Sequence, residues 1–117
     1  MPENIILISA AVSISYLKEL ASGQFADMIK AVIDVEKENM AVGGSLHADE
    51  EKLLLQHGSK QQDLWGINIY FDVDEADRIE FDSMINIKPG QGNRSRCVED
   101  EGTREKIISI VNRFIHP

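Results

Sequence analysis

Three stretches of this sequence place apolar side chains at every second position opposite a more mixed set, and that period of two restricts the fold more than any other feature. From Met28 to Val35, Ile29, Ala31, Ile33 and Val35 fall on one side and Met28, Lys30, Val32 and Asp34 on the other. From Leu64 to Phe71, Ile67, Ile69 and Phe71 oppose Gly66, Asn68 and Tyr70. From Ile79 to Ile87, Ile79, Phe81, Ile85 and Ile87 oppose Glu80, Asp82, Met84 and Asn86, with Ser83 on the apolar side. Successive side chains of a strand point to opposite faces of a sheet, so each stretch predicts a half-buried strand. Strands with one wetted face belong to antiparallel sheets.

The intervening segments read as shorter strands and helices. Ile5 to Ile8 is a continuous apolar run suited to a strand, and Met40 to Val42 returns from a polar turn at Glu36 to Asn39. Ser13 caps a helix running to Ser22 and ending at Gly23; Ser45 caps a second that ends before Gly58; Thr103 caps a third carrying Ile107, Ile110, Val111 and Phe114. The order is β-α-β-β-α-β-β-α, an α+β fold with a mainly antiparallel sheet and the helices packed on one face. At 117 residues the expectation is a single domain, 1–117.

Twenty acidic residues against 12 basic ones give a net charge of −8, which repels nucleic acid and anionic lipid. Neither is an expected partner. Cys97 is the only cysteine, so an intrachain disulfide and a CxxC site are excluded, and a reducing, cytoplasmic location is expected. Asn4 to Ala11 lacks the basic start and long apolar core of a secretory signal, and it is too short to span a membrane.

Chemistry-bearing residues concentrate in two places. Gly43 to Gly66 holds Gly44 and Ser45 at a helix start, then His47, Asp49, Asp63, Gln62 and Trp65. A glycine pair entering a helix can aim N–H groups at an anion, but no P-loop lysine follows and a turn followed by an N-cap is the favoured account. His47 with Asp49 and Asp63 supplies groups for acid–base work, and Gln62 with Trp65 suits a polar, stackable ligand. The second place is the glycine-rich loop from Pro89 to Gly102, where Asn93, Arg94 and Arg96 offer amide and guanidinium donors to an anion, unless the loop is merely solvated. Three histidines and one cysteine are too few for a closed zinc site, and the Asp72 to Asp77 acids lack calcium-loop spacing. No metal and no cofactor is expected.

The runs Ile29 to Glu36, Gly43-Gly44-Ser45-Leu46-His47-Ala48-Asp49, Gly58-Ser59, Gln62-Asp63-Leu64-Trp65-Gly66, Ile85-Asn86-Ile87, Pro89 and Gly92-Asn93 together resemble a family of small prokaryotic proteins classed only as a domain of unknown function. The resemblance runs from Phe25 onward. It implies a bacterial or archaeal source and brings no activity, substrate or cofactor. His47, Asp49, Gln62, Asp63, Trp65, Asn86, Asn93 and Arg94 match its signature.

Two functional readings follow. One is a binding or interaction module that meets a protein partner or a second copy of itself through the open sheet face bearing Lys30, Asp34, Asn68, Tyr70, Glu80, Asp82 and Asn86. The other is a small hydrolase-like enzyme in which His47, Asp49 and Asp63 act on a small anionic ligand held by Arg94 and Arg96. The enzyme requires both segments to converge on one cleft.

Overall fold

A computed structural model describes residues 5–117; Asn4, the first residue of the apolar start, lies outside the described residues. The strands are β1 (Ile6–Ile8), β2 (Val12–Ser13), β3 (Met28–Asp34), β4 (Asn39–Val42), β5 (Leu64–Tyr70), β6 (Ile79–Glu80) and β7 (Ile115–His116). The helices are α1 (Ile14–Ala21), α2 (His47–Gln56) and α3 (Glu101–Phe114). Five strands form one sheet in the order β1-β4-β3-β5-β6 with every pairing antiparallel, while β2 and β7 make a short parallel pair. The expected α+β class and element order hold, with β2 and β7 as additions that are too short to carry a pattern.

The hairpin between β3 and β4 shows how local chemistry sets register. Asp34 is buried, and its carboxylate accepts from the amides of Glu36 and Lys37 at 2.9 and 2.8 Å and from the Ser59 hydroxyl at 2.6 Å. An aspartate that hydrogen-bonds the backbone two and three residues ahead fixes a turn. Asp34 then pairs with Asn39, and Ala31 with Val42.

The helices do not share one face. Ile29, Ala31, Ile33, Met40, Val42, Trp65, Ile67 and Ile69 pack with Leu17 and Ala21 of α1 and Ile107, Ile110, Val111 and Phe114 of α3. The alternate residues Val32, Ala41 and Leu64 pack instead with Leu54 of α2, with Leu53 and Ile85 at the margin. Strand alternation puts these two clusters on opposite faces, so α2 covers the second face. Each large side chain buried in this way stabilises the fold by about 1.5–3 kcal/mol. The second face carries few of them, and α2 reaches only part of it.

Three boundaries depart from the sequence reading. The Ile79 to Ile87 stretch is a strand only over Ile79–Glu80; Met84–Asn86 forms a single tight turn in which the Ser83 hydroxyl accepts from the Ile85 amide at 3.2 Å. Leu46, not Ser45, occupies the N-cap of α2, and it provides no side-chain cap. Glu50 reaches back from within the helix to accept from the Gly44 amide at 2.9 Å. Asp100, not Thr103, caps α3, its carboxylate accepting from both the amide and the hydroxyl of Thr103 at 2.8 Å. Those bonds stabilise the ionised form and draw the Asp100 carboxyl below its usual range.

The outer edge of β5 explains why the next strand is so short. Tyr70 donates to the Arg78 carbonyl at 2.8 Å, as in a normal ladder. Two residues past the end of that pairing, the side chain of Asn86 takes over: its Oδ1 accepts from the Gly66 amide at 2.8 Å and its Nδ2 donates to the Gly66 carbonyl at 2.9 Å. One amide side chain thereby stands in for the backbone of a neighbouring strand. Beyond it, the Lys88 ammonium donates to the Leu64 carbonyl. An edge sealed by side chains presents no free backbone row to another chain.

Candidate functional site

Where α2 stops covering the second face, a cavity of about 250 Å³ opens, lined by Lys30, Leu46, His47, Ala48, Asn68, Asp82, Ser83, Met84, Ile85 and Arg96. Its floor is Gly66. A Cβ at that position would lie 2.7 Å from both Cβ and Oγ of Ser83 and 3.1 Å from Cγ of His47. Only a residue without a side chain lets the imidazole and the hydroxyl settle against the sheet from either side.

His47 opens α2 and is 8% exposed. Its Nε2–H donates to the Ile67 carbonyl at 2.7 Å, because a carbonyl can only accept. Burial lowers its pKa to about 4, and the nearby Lys30 and Arg96 cations reinforce that, against the opposing pull of the Ile67 bond and Asp82. The ring is therefore neutral at pH 7, and Nδ1 carries the lone pair. No group among the described residues donates to that nitrogen.

The walls are charged. Lys30 and Asn68 face each other across β3 and β5, with Nζ 3.4 Å from Asn68 Oδ1. Asn68 donates in turn to Glu80 at 2.8 Å, and the Tyr70 hydroxyl donates to the same carboxylate oxygen at 3.2 Å. On the opposite wall Arg96 Nε meets Asp82 Oδ1 at 2.7 Å, leaving the two terminal guanidinium nitrogens clear of that contact. Two cations and one acid thus ring the neutral imidazole. The rim is apolar: Met84 and Leu46 are 66% and 58% exposed, the two most exposed large hydrophobic side chains among the described residues.

Of the residues singled out from the sequence, His47 and Arg96 come together here, and the others lie elsewhere. Asp49 is exposed and belongs to a separate depression with Ile5, Lys52, Leu53 and Gln56. Asp63 ends the short turn Gln61–Asp63 before β5, where its carbonyl accepts from Val35 at 3.1 Å. Gln62 is exposed, its carbonyl accepting from Gln91 at 3.0 Å. Trp65 points into the larger core, with the Lys88 ammonium 4.1 Å from its ring centroid. Burial pulls the Lys88 pKa down to about 8. Gly44 and Ser45 sit in the loop that Glu50 ties down.

The Pro89 to Gly102 loop is built around a buried asparagine. Asn93 Nδ2 donates to the carbonyls of Asn86, Ser95 and Cys97 at 2.7, 3.1 and 2.7 Å, and its Oδ1 accepts from Glu99 at 2.8 Å. Glu99 accepts from the hydroxyl and amide of Ser95 and the amide of Arg94, bonds that lower its pKa. Arg94 therefore contributes a backbone bond to the loop, while its side chain lies outside the cavity lining. Arg96 reaches the cavity because Asn86 and Ser83 both bind its carbonyl, at 2.9 and 3.1 Å.

Lys30, Asn68 and Asp82, expected only as part of an open interaction face, complete the site together with Ser83, which the sequence did not single out, and Gly66 packs beneath it. Their signal in the sequence was a polar or missing side chain at register positions where a covered strand would be apolar. Among the described residues no three His, Cys, Asp or Glu side chains gather to hold a metal, and no helix is long and apolar enough to cross a membrane.

No curated protein and no solved structure matches the chain. A family model does match, over residues 6–114, with the description "Protein of unknown function (DUF5674)", and by that match the chain belongs to this family.

Proposed function

We propose that the chain is a binding module that takes a small anionic ligand in the cavity beside His47. The observation that carries this reading is the meeting of Lys30 and Arg96 around a neutral, uncommitted imidazole nitrogen in a protein of net charge −8. Cations brought together against the overall charge favour an anion locally, and a guanidinium with free terminal nitrogens takes carboxylate or phosphate in a forked pair.

Binding is favoured over catalysis by the same imidazole. A general base works best with a pKa near the operating pH, and a ring held to about 4 accepts protons poorly at pH 7. The separation of Asp49 and Asp63 from the cavity takes away the two acids expected to act beside His47, and the acid that is present, Asp82, is paired with Arg96. A second copy on the open face is disfavoured by the Lys30, Asn68, Glu80 and Tyr70 ladder, which already satisfies much of its own polarity.

Calorimetric titration with inorganic phosphate and with lactate tests the reading. Binding is expected for at least one, and replacing both Lys30 and Arg96 by alanine weakens it by about tenfold or more. Equal affinity in that double variant places the ligand elsewhere and ends the proposal. Concentration-dependent dimerisation that the double variant abolishes would favour a second copy instead.

A further inference from the structure

Resting on the reading of this cavity as a ligand site, we infer that its ligand is a small hydroxy acid with an apolar tail: a carboxylate between Lys30 and Arg96, a hydroxyl donating to His47 Nδ1, and the tail against Leu46 and Met84. Each part answers a separate feature of the cavity.

The carboxylate answers the cations. The hydroxyl answers the imidazole, whose Nε2–H is spent on the Ile67 carbonyl, so that the remaining nitrogen can only accept. A donor placed there must be neutral. An ammonium would stand among Lys30 and Arg96, and Asp82, the acid on the wall, is already paired to Arg96 at 2.7 Å. This charge pattern separates hydroxy acids from amino acids of the same shape. The tail answers the rim, because Met84 and Leu46 expose apolar surface on the same cavity whose base is polar. A volume of about 250 Å³ fits a metabolite of a few carbons.

The experiment compares leucate, isocaproate, lactate, leucine and inorganic phosphate on the isotopically labelled chain, following the amide resonances of Lys30, Asn68 and Ser83. Leucate is expected to bind about tenfold tighter than lactate through its isobutyl tail, and tighter than isocaproate, which lacks the hydroxyl. Leucine should bind more weakly than leucate. Leu46→Ser and Met84→Ser change exposed side chains of the rim, and each should weaken leucate more than lactate and so erode the advantage of leucate.

Equal binding of leucate and lactate, tighter binding of leucine, or indifference to both rim variants overturns the ligand class while leaving an anion site in place. If no probe, phosphate included, moves those resonances, the cavity reading itself fails and the ligand class with it.

Discussion

Two clusters of polar residues sit within one chain segment of each other, on either side of Gly66, and they differ in what they leave unspent. Asn86 and Asn93 are buried, and between them they use both ends of each amide on backbone groups of β5 and the following loop. His47, Lys30 and Arg96 are also held in place, yet each retains a donor or acceptor directed to no protein group. A satisfied buried amide is architecture. A positioned polar group with capacity to spare is where recognition takes place, and residue type alone does not separate the two, since asparagine, arginine and histidine all serve as ligands elsewhere.

Removing the architectural member should have the largest effect. Asn86→Ala deletes the stand-in strand and leaves the Gly66 amide and carbonyl without their partner, each costing about 1–3 kcal/mol when buried, while the Arg96 carbonyl keeps only the Ser83 amide. A loss of about 4 kcal/mol by urea denaturation is expected. A loss under about 1 kcal/mol would mean that water replaces these bonds and that Asn86 belongs with the recognition residues.

The contrast also explains what sequence patterning could reach. The alternation of β3 and β5 is legible because both faces of each strand meet different environments along most of their length. The Ile79 to Ile87 stretch carries the same alternation and still fails as a strand beyond Glu80. Its Ser83 amide bonds across to the Arg96 carbonyl and its Asn86 side chain to Gly66, and partners so distant in sequence leave no trace in a local period. The covering of the second face by α2 was hidden for a similar reason: Leu53 and Leu54 look the same whichever side of the sheet they meet. His47 was visible as a candidate from its type. Its true neighbours, Lys30 and Arg96, lie on β3 and in the distant loop, and only tertiary packing brings them there.

The second prediction concerns His47, which stands between the two clusters because its Nε2 is architectural and its Nδ1 is not. Its folded pKa of about 4 lies below the ordinary 6.5, so between those values the unfolded chain binds the proton more readily. The stabilisation is complete above pH 6.5 and is lost as pH falls through about 4. Its size is up to about 3 kcal/mol, at 1.36 kcal/mol per unit of pKa difference. His47→Gln, which can still donate to the Ile67 carbonyl, should flatten that part of the stability profile. A variant whose stability falls with acid as steeply as the parent would show that the imidazole is not buried as described.

The smallest expected effect falls on the boundary residue, and it is the most informative about the comparison. Gly66→Ala adds one methyl group 2.7 Å from Ser83 Cβ and Oγ and 3.1 Å from His47 Cγ. Ser83 is buried and its hydroxyl already accepts from Ile85, so it cannot swing away without breaking that bond. Overpacking of this kind costs about 1–3 kcal/mol, and about 2 kcal/mol is expected in thermal or urea denaturation. The two clusters should respond unequally. The Asn86 bonds run along the sheet edge, at right angles to the added methyl, and amide exchange at Gly66 should remain slow. His47 stands directly over it, and its ring resonances and any anion affinity of the cavity should change more than the stability loss alone would suggest. If exchange at Gly66 accelerates as much as the His47 environment shifts, then the two clusters are one cooperative unit and the division between architecture and recognition does not hold.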